Sequence, residues 1–360
     1  MLDVVRWTTA RFAERGLGSP RLDAELLVAH VLSLPRVQLY VQFERVLSPE
    51  ELAALRALIK RRQGGESVAY LTGRKEFWKL EFAVDARVLV PRPDTETLVE
   101  EALSRLGAPD EEQAEAAPEQ AEAAPEQAEA AGEKAEAAGE QAEAPGEQAE
   151  AAGEQGENAA KNAEDAEEAE AAGAAEAPPI PSPREAGRGL GRGAPRIADV
   201  GTGSGALAIT LAKLRPGAVV VASDASAPAL EVARANAERH GAAVTFVEGD
   251  LGAPLAAHAP FSLIVANLPY IPTGELASLP ADVRSEPASA LDGGADGLEL
   301  VRRLVAEAPA LLAAGGVLAL EIGDGQAAAT RALLEAAGFT DVQARRDLAG
   351  TERVVSGTKR

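Results

Sequence analysis

Four consecutive residues, Asn267-Leu268-Pro269-Tyr270, carry groups suited to holding a planar nitrogen compound. They follow residues 263–266, a short apolar run that indicates a buried strand. Pro269 ends that strand because it cannot donate to a strand ladder. An amide, main-chain carbonyls and an aromatic ring are therefore expected at the carboxyl edge of a sheet, where open α/β folds bind ligands. The amide can donate and accept hydrogen bonds, so the tetrapeptide predicts a site for an amide or a nucleobase.

A glycine-rich segment lies at a predicted strand-to-helix turn, Asp199-Val200-Gly201-Thr202-Gly203-Ser204-Gly205-Ala206. Glycines there let the backbone approach a ligand, although the spacing also satisfies the dinucleotide-binding pattern. Asp224 ends the next predicted strand, where its carboxylate can accept hydrogen bonds from both hydroxyls of a ribose. These features suit NAD and S-adenosylmethionine equally, and a helix N-cap role for Asp224 stays open.

Two features favour methyl transfer over hydride transfer. Asp250 ends the third predicted strand, a place suited to the exocyclic amine of an adenine, and the Asn267–Tyr270 turn follows the fourth. That turn would lie beside the methyl group of a sulfonium. A nicotinamide enzyme has no need for it, and no His or Lys is an obvious candidate for its acid/base group.

The chemistry of the turn suits an amide acceptor. An amide nitrogen is a poor nucleophile because its lone pair is delocalised into the carbonyl. The Asn267 side-chain oxygen and the Leu268 carbonyl can bond its two N–H groups, and Tyr270 can stack on its plane. A sulfonium is already an activated electrophile, so in-line positioning can supply much of the rate. The two acceptors would also stabilise the positive charge that builds on nitrogen.

The elements that must position these groups change in kind along the chain. Residues 1–75 are predicted to be helical, with helix starts at Ser19-Pro20 and at the capping box Ser48-Pro49-Glu50-Glu51. One helix should bury a face made of Leu22, Leu26, Leu27 and Val31. Residues 77–90 then predict two short strands around Asp85-Ala86-Arg87, and a helix should run from about Asp94 to Gly107.

The remainder of the chain alternates strands and helices. Predicted strands cover residues 196–200, 219–223, 244–248, 263–266 and 317–322, and predicted helices cover 206–214, 227–240, 298–312 and 326–336. Residues 342–346 and 353–356 could form a closing antiparallel pair. The alternation predicts a mostly parallel sheet that is covered on both faces.

A low-complexity insertion at about residues 109–193 separates the first helix of this region from its first strand. Its repeats recur every seven residues, with a Pro or Gly in each copy and only Ala at the seam, which predicts disorder. Residues 109–180 hold 22 of the 57 acidic and 2 of the 35 basic side chains, leaving 35 acidic against 33 basic elsewhere. The net charge of −22 is therefore no argument for or against an RNA partner.

Composition narrows the class of protein further. The chain has no cysteine, which excludes disulfides and a thiolate zinc site, and its three histidines lack ligand spacing, so no metal site is predicted. No basic leader or run of membrane-spanning length is present, which predicts a soluble, cytoplasmic protein.

The sequence resembles the PrmC/HemK family, the peptide chain release factor N5-glutamine methyltransferases, across nearly all of the chain outside the insertion. The glycine loop is common to many methyltransferases, but two other segments are more specific. They are Val90-Pro91-Arg92-Pro93-Asp94-Thr95-Glu96 and Ser285-Glu286-Pro287. Residues 61–73, Glu76-Phe77-Trp78, 290–298 and Leu320-Glu321-Ile322-Gly323 extend the resemblance.

The resemblance implies an α/β class I S-adenosylmethionine-dependent methyltransferase fold. Its Rossmann-like sheet would have seven strands. A helical substrate-recognition domain (1–75) and a β-hairpin linker (76–92) would precede the methyltransferase domain (93–360).

The resemblance also implies the activity, which is methylation of the glutamine of the Gly-Gly-Gln motif in class I release factors. It assigns the cofactor to Gly201, Thr202, Gly203, Ser204, Gly205, Asp224, Asp250, Leu251 and Asn267, and the glutamine to Asn267, Leu268, Pro269 and Tyr270. No membrane or direct nucleic-acid partner is expected, and a monomer is predicted.

Two positions depart from the family pattern. Leu268 replaces the usual Pro, which keeps the carbonyl but loses the rigid ring, and Leu251 stands where the family often has Trp. Asn-Leu-Pro-Tyr is also the form found in rRNA adenine dimethylases. An rRNA adenine N6-methyltransferase and a non-catalytic S-adenosylmethionine-binding module are therefore the alternatives.

Overall fold

A computed structural model describes residues 1–107 and 194–360, so the predictions made for residues 109–193 lie outside the described residues. The chain begins with a bundle of helices that has its own apolar core, built around Phe12, Leu27, Leu39 and Leu55. These helices are α1 (Leu2–Ala13), α2 (Pro20–Val31), α3 (Gln38–Val41), α4 (Pro49–Gln63) and α5 (Val68–Thr72).

The start of α4 confirms the predicted capping box, because the Ser48 hydroxyl accepts from the Glu51 N–H while the Glu51 carboxylate accepts from the Ser48 N–H. The predicted inward face of α2 was partly wrong, since Leu22 and Leu26 are 41% and 37% exposed. Asp23 lies inside instead, where its carboxylate accepts from Arg62 of α4 at 2.8 Å. This buried ion pair belongs to the inward face of α2, and the apolar pattern did not reveal it.

A β-hairpin follows, made of β1 (Arg74–Phe77) and β2 (Leu80–Ala83). Its turn is Trp78-Lys79 and not Asp85–Arg87 as predicted, so the second predicted strand was misplaced. Both turn residues have positive φ, 49° and 62°, which tight hairpin turns require but which such side chains rarely adopt. The turn therefore had no glycine or asparagine to mark it in the sequence.

The sheet has seven strands, the number that the family resemblance implied, and their order is β5-β4-β3-β6-β7-β9-β8. Strands β3 to β7 run parallel to one another, and β9 lies antiparallel between β7 and β8. The strands are β3 (Arg196–Val200), β4 (Val219–Asp224), β5 (Val244–Glu248), β6 (Phe261–Ala266), β7 (Leu312–Glu321), β8 (Phe339–Arg346) and β9 (Glu352–Lys359). The helices of this part are α6 (Glu96–Leu106), α7 (Ala206–Leu214), α8 (Ala227–His240), α9 (Ala281–Arg284), α10 (Glu299–Leu311) and α11 (Ala327–Ala336).

Helices cover both faces of the sheet, which explains why its central strands are apolar throughout. In β6, Leu263 and Val265 pack into the cluster that contains residues of α6 and α7, and Ile264 and Ala266 pack into the cluster of α10. The chain runs from β3 outward to β4 and β5, then returns to β6 on the other side of β3. This reversal opens a crevice beyond the carboxyl ends of β3, β4 and β6, where ligands bind in such sheets.

Candidate active site

A cleft of about 600 Å³ lies at this reversal. Ten of the twelve residues predicted for the site line this cleft. They are Gly201, Thr202, Gly203, Ser204, Asp224, Asp250, Leu251, Asn267, Leu268 and Pro269. Gly205 and Tyr270 lie outside the lining. Residues 86–89 of the loop after the hairpin also line it, as do Pro287, Ser289 and Ala290, and sequence reasoning assigned none of them to the site.

The glycines of the loop between β3 and α7 have two roles, one at the surface of the cleft and one in helix packing. Gly201, Gly203 and Gly205 all have positive φ, at 73°, 55° and 82°. A Cβ on Gly203 would meet no atom of the described chain within 4 Å, so this position borders the open cleft. A Cβ on Gly205 would lie 2.8 Å from the Ile209 side chain and 3.2 Å from the Ala233 side chain. Gly205 is therefore needed for the close approach of α7 and α8.

Asp224 holds the glycine loop while keeping acceptor capacity. Its Oδ2 accepts the Gly203 N–H at 2.8 Å, and its Oδ1 accepts the Ser226 N–H at 2.9 Å. A carboxylate has about four lone-pair sites, so both oxygens can still accept from a ribose. The N-cap of α8 is Ser226, whose hydroxyl accepts from the Ala229 N–H, so the alternative role for Asp224 was wrong.

Asp199 braces the same loop from beneath. Its Oδ2 accepts from the Thr202 hydroxyl at 2.7 Å and from the Ala208 N–H at 3.1 Å. Its Oδ1 is buried and finds no hydrogen-bond partner in the described part of the chain. Burial raises the pKa of this carboxyl to about 7. The group that holds the loop therefore takes up a proton at a much higher pH than an exposed aspartate does.

Asp250 and Leu251 border the far end of the cleft. The Asp250 carboxylate accepts from the Arg303 guanidinium of α10 and is itself mostly exposed. Leu251 is buried at a φ of 47°, a conformation uncommon for leucine, and its carbonyl accepts from the Ser223 hydroxyl at 3.0 Å. The pair therefore offers a carboxylate beside an apolar wall.

The nitrogen of the Asn267 amide is bonded to Thr95, a residue outside the tetrapeptide. Nδ2 donates to the Thr95 hydroxyl at 3.1 Å, which leaves Oδ1 free to accept from an incoming group. Leu268 is only 3% exposed, and its Cδ2 would lie 3.2 Å from a Cβ on Gly201. Packing of the leucine side chain against the glycine loop thus constrains the carbonyl that a proline ring would otherwise hold.

Tyr270 is held by the loop that follows β7. Its carbonyl accepts from the Gln326 side chain at 2.9 Å, and its ring lies against Gly323, where a Cβ would be 3.1 Å from Cδ2. Burial, with the nearby Glu321 carboxylate, raises the pKa of its phenol to about 12. The ring is therefore a neutral, fixed surface over the working pH range.

The two segments specific to the family meet in the structure. Glu286 is buried and accepts from the Arg92 guanidinium at 2.5 Å and from the Val90 N–H at 3.2 Å. Burial raises the pKa of Glu286, and the Arg92 charge opposes that rise. This contact ties the turn that carries Thr95 to the rim of the cleft.

Sequence reasoning assigned no role to Thr95, Glu321 or Gln326, although all three contact the tetrapeptide or the groups that hold it. Thr95 and Glu321 fall inside segments that carry the family resemblance, which is the one signal that pointed to them. Their residue types alone indicated nothing, because a threonine at a helix start and a glutamate at a strand end are common.

The cleft fits S-adenosylmethionine. An open glycine cradle, a carboxylate with spare lone pairs at Asp224 and an apolar wall at Leu251 suit the amino acid, ribose and adenine parts. Within residues 1–107 and 194–360, no group of three or more His, Asp or Glu side chains is arranged to hold a metal ion. Among the helices in those ranges, none has both the length and the apolar character needed to cross a membrane.

Comparison with known proteins gives matches in both parts of the chain. Residues 3–73 match the family model of the PrmC N-terminal domain, and residues 197–285 match that of a methyltransferase domain. A solved structure of a methyltransferase from Pyrococcus furiosus covers 47% of this chain and 76% of its own, at 20% identity and a TM-score of 0.35, too weak a likeness to bear on function.

Relatives match over nearly the whole length. The release factor glutamine methyltransferase of Geobacter sulfurreducens is 36% identical over 98% of this chain and 95% of its own. That of Chlorobaculum tepidum is 36% identical over 99% and 96%. The chain therefore belongs to the release factor glutamine methyltransferase family, and it is an enzyme that takes its methyl group from S-adenosylmethionine.

Proposed function

We propose that this enzyme methylates the side-chain amide nitrogen (N5) of the glutamine in the Gly-Gly-Gln motif of class I peptide chain release factors. The observation that carries the proposal is the pair of free acceptors at the end of β6. Asn267 Oδ1 is left open by the bond from Nδ2 to Thr95, and no group in the described part of the chain donates to the Leu268 carbonyl. Two adjacent acceptors suit the two hydrogens of a primary amide.

Each site residue then has a task. Residues 201–205 would hold the methionine part of the cofactor, Asp224 the ribose, and Asp250 with Leu251 the adenine. Asn267 to Tyr270 would grip the glutamine. The helical domain (1–75) would recognise the release factor, and the hairpin linker (76–92) would join it to the methyltransferase domain (93–360).

The reaction needs orientation more than a strong base. When bound, S-adenosylmethionine supplies an electrophilic methyl group. Asn267 and Leu268 hold the two N–H bonds of the glutamine amide and aim its nitrogen in line with that methyl. As positive charge develops on nitrogen, both acceptors bind its hydrogens more strongly, which stabilises the transition state. The proton that nitrogen finally loses can pass to water.

The alternatives are weaker on specific grounds. An adenine also presents a planar NH₂ group, but the chain outside residues 109–180 has 35 acidic and 33 basic side chains, without the positive balance of an rRNA binder. The alternative of a non-catalytic binding module rests on the loss of the proline ring at position 268, whereas the buried Leu268 side chain favours a fixed carbonyl there. A monomer without a direct nucleic-acid partner remains our expectation.

The direct test is a map of methylated peptides. The full chain is incubated with S-adenosylmethionine and a class I release factor, and the products are digested and analysed by mass spectrometry. A release factor with Gly-Gly-Asn in place of Gly-Gly-Gln is the matched control. We expect one added methyl group on the glutamine and none on the control. Methylation of rRNA adenine with an unmodified release factor would overturn the proposal.

Asn267→Ala tests the role of the acceptor. Removing it should lower kcat by about 10²–10³, the loss seen when one transition-state hydrogen bond is removed. Cofactor affinity, measured by calorimetry, should change much less. Asp224→Ala is the matched comparison, since it should weaken cofactor binding first. If Asn267→Ala weakens cofactor binding as much as turnover, Asn267 belongs to the cofactor site instead.

A further inference from the structure

Two polar side chains from distant parts of the chain, Thr95 and Glu321, converge behind the open face of the Asn267 amide. Thr95 lies in the short helical turn just before α6 and is 4% exposed. Glu321 is the last residue of β7, next to β6, and is 1% exposed. The Thr95 hydroxyl accepts from Asn267 Nδ2 at 3.1 Å. The Glu321 carboxylate faces both the Thr95 hydroxyl and the Asn267 amide.

The Thr95 hydroxyl by itself does not decide which way the Asn267 amide points. A hydroxyl can donate or accept, so it can pair equally well with an amide nitrogen or an amide oxygen. An ionised carboxylate can only accept. When the Thr95 hydrogen is directed to Glu321, the Thr95 oxygen is left as an acceptor, and only the N–H₂ end of Asn267 can face it.

The Glu321 carboxylate has capacity for this bond. Its Oε2 is buried and has no hydrogen-bond partner among the residues that the structure describes. An unsatisfied buried carboxylate oxygen is costly, so a donor such as the Thr95 hydroxyl is favoured there. A hydrogen bond from the Thr95 hydroxyl to Glu321 would complete a chain that runs from amide to hydroxyl to carboxylate, in which each link sets the direction of the next.

We propose that Thr95 and Glu321 are positioning residues that set the orientation of the Asn267 amide, so that its oxygen faces the substrate. The inference rests on the proposed function, because it assumes that Asn267 Oδ1 accepts from the substrate amide. With the Asn267 amide reversed, its N–H₂ group would meet the N–H₂ group of the substrate, and two donors would face each other. Such an enzyme binds cofactor normally but turns over slowly.

The protonation state of Glu321 should then affect turnover. A protonated Glu321 can donate to Thr95, which frees the hydroxyl to donate to Asn267 in the reversed orientation. Burial raises the pKa of Glu321 to about 7, the Thr95 contact and the Arg353 charge lower it, and the Asp94 charge raises it. Tyr270 also faces this carboxyl, and burial raises the pKa of its phenol to about 12. We therefore expect protonation of Glu321 to lower kcat on the acid side of neutrality.

The experiment compares three variants of the full chain. Thr95→Val keeps the shape of the side chain and removes its hydroxyl, and Thr95→Ser keeps the hydroxyl. Glu321→Gln replaces the carboxyl with an amide that does not titrate. The control is Thr330→Val in α11, a buried threonine outside the site whose hydroxyl has no partner within the described ranges. The measurements are kcat and KM for the release factor, the cofactor Kd, and the melting temperature.

We expect Thr95→Val to lower kcat by about 10–100-fold, a loss of the size found when a residue that orients a metal-binding side chain is removed. Thr95→Ser should recover most of it, with cofactor Kd within about twofold throughout. Glu321→Gln should lower kcat and weaken its dependence on pH near neutrality, where Asp199 still titrates. Thr330→Val should leave kcat unchanged.

Unchanged kcat in a folded Thr95→Val would overturn the inference. So would a parallel loss of kcat, cofactor affinity and melting temperature that Thr95→Ser does not repair, since that pattern marks a purely structural role. Failure of the wild-type enzyme to methylate the glutamine is a different result, which would overturn the proposed function itself.

Discussion

Gly203 and Gly205 provide a matched pair for testing how the glycine loop works. Both residues have positive φ, so an alanine at either position carries a similar backbone cost, about 1–2 kcal/mol. They differ in their surroundings. The Cβ of Gly203→Ala enters open space, whereas that of Gly205→Ala would lie 2.8 Å from Ile209 and 3.2 Å from Ala233. The Ile209 side chain, which belongs to α7 itself, must then shift, and α8 must move by a few tenths of an ångström at Ala233.

The structure therefore predicts opposite phenotypes for the two substitutions. Forcing an extra methyl group into a packed contact adds about 1–3 kcal/mol. The Gly205→Ala variant should then lose about 2–5 kcal/mol of unfolding free energy, and Gly203→Ala about 1–2 kcal/mol. Each kcal/mol lowers the melting temperature of a domain this size by about 2–4 °C. Gly203→Ala should instead weaken cofactor binding, because its methyl group projects into the cleft.

Urea unfolding without cofactor gives the two stabilities, and calorimetric titration with S-adenosylmethionine below the melting temperature gives the two affinities. The slopes of the urea transitions must agree for the comparison to hold. If the two variants lose equal stability, the packing argument for Gly205 is wrong. If Gly203→Ala binds the cofactor as tightly as the wild type, the glycine loop (residues 201–205) does not contact the cofactor at this position.

Three further substitutions test other contacts. Arg62→Met leaves Asp23 buried without its partner and should cost about 3–5 kcal/mol in urea unfolding, part of which Asp23→Asn in the same chain restores; a loss below about 1 kcal/mol would contradict this. Asn236→Leu removes bonds to both backbone groups of Ala83, at 2.8 and 3.0 Å, so amide exchange at Ala83 should speed up, and unchanged protection would be evidence against this link. Burial raises the pKa of Asp199 from 3.8 to about 7, so between these values the folded state binds a proton that the unfolded state has lost. Wild-type stability should fall as pH rises through that window, relative to Asp199→Asn, and parallel pH profiles would refute it.

Much of the methyltransferase domain could be predicted from local patterns. The predicted helices at 206–214 and 227–240 and the predicted strands at 196–200 and 244–248 have the bounds that the structure gives them. These elements combine a clear apolar period with Gly or Pro at their ends, and both faces of the sheet are covered. Local pattern and tertiary environment therefore favour the same conformation.

The errors fell where tertiary contacts overrode local patterns. The hairpin turn lies at Trp78-Lys79 because Phe77 and Phe82 on either side pack into the core under the sheet, and this packing sets the register. The inward face of α2 includes Asp23 because Arg62, 39 residues later, supplies its counter-ion. The core that fixes the hairpin and the counter-ion of Asp23 both lie far along the chain, so the residues near the hairpin and near α2 do not reveal them.

The sequence by itself determined the order of the elements, the glycines that open the cradle and the acceptor groups of the Asn267 turn. Each depends on the chemistry of a few adjacent residues. Only the tertiary structure decided how those groups are aimed. Thr95 meets Asn267 across 172 residues of chain, and Leu268 packs on Gly201 because β3 and β6 are neighbours. Such contacts follow from strand order and helix packing, which no short segment of sequence specifies.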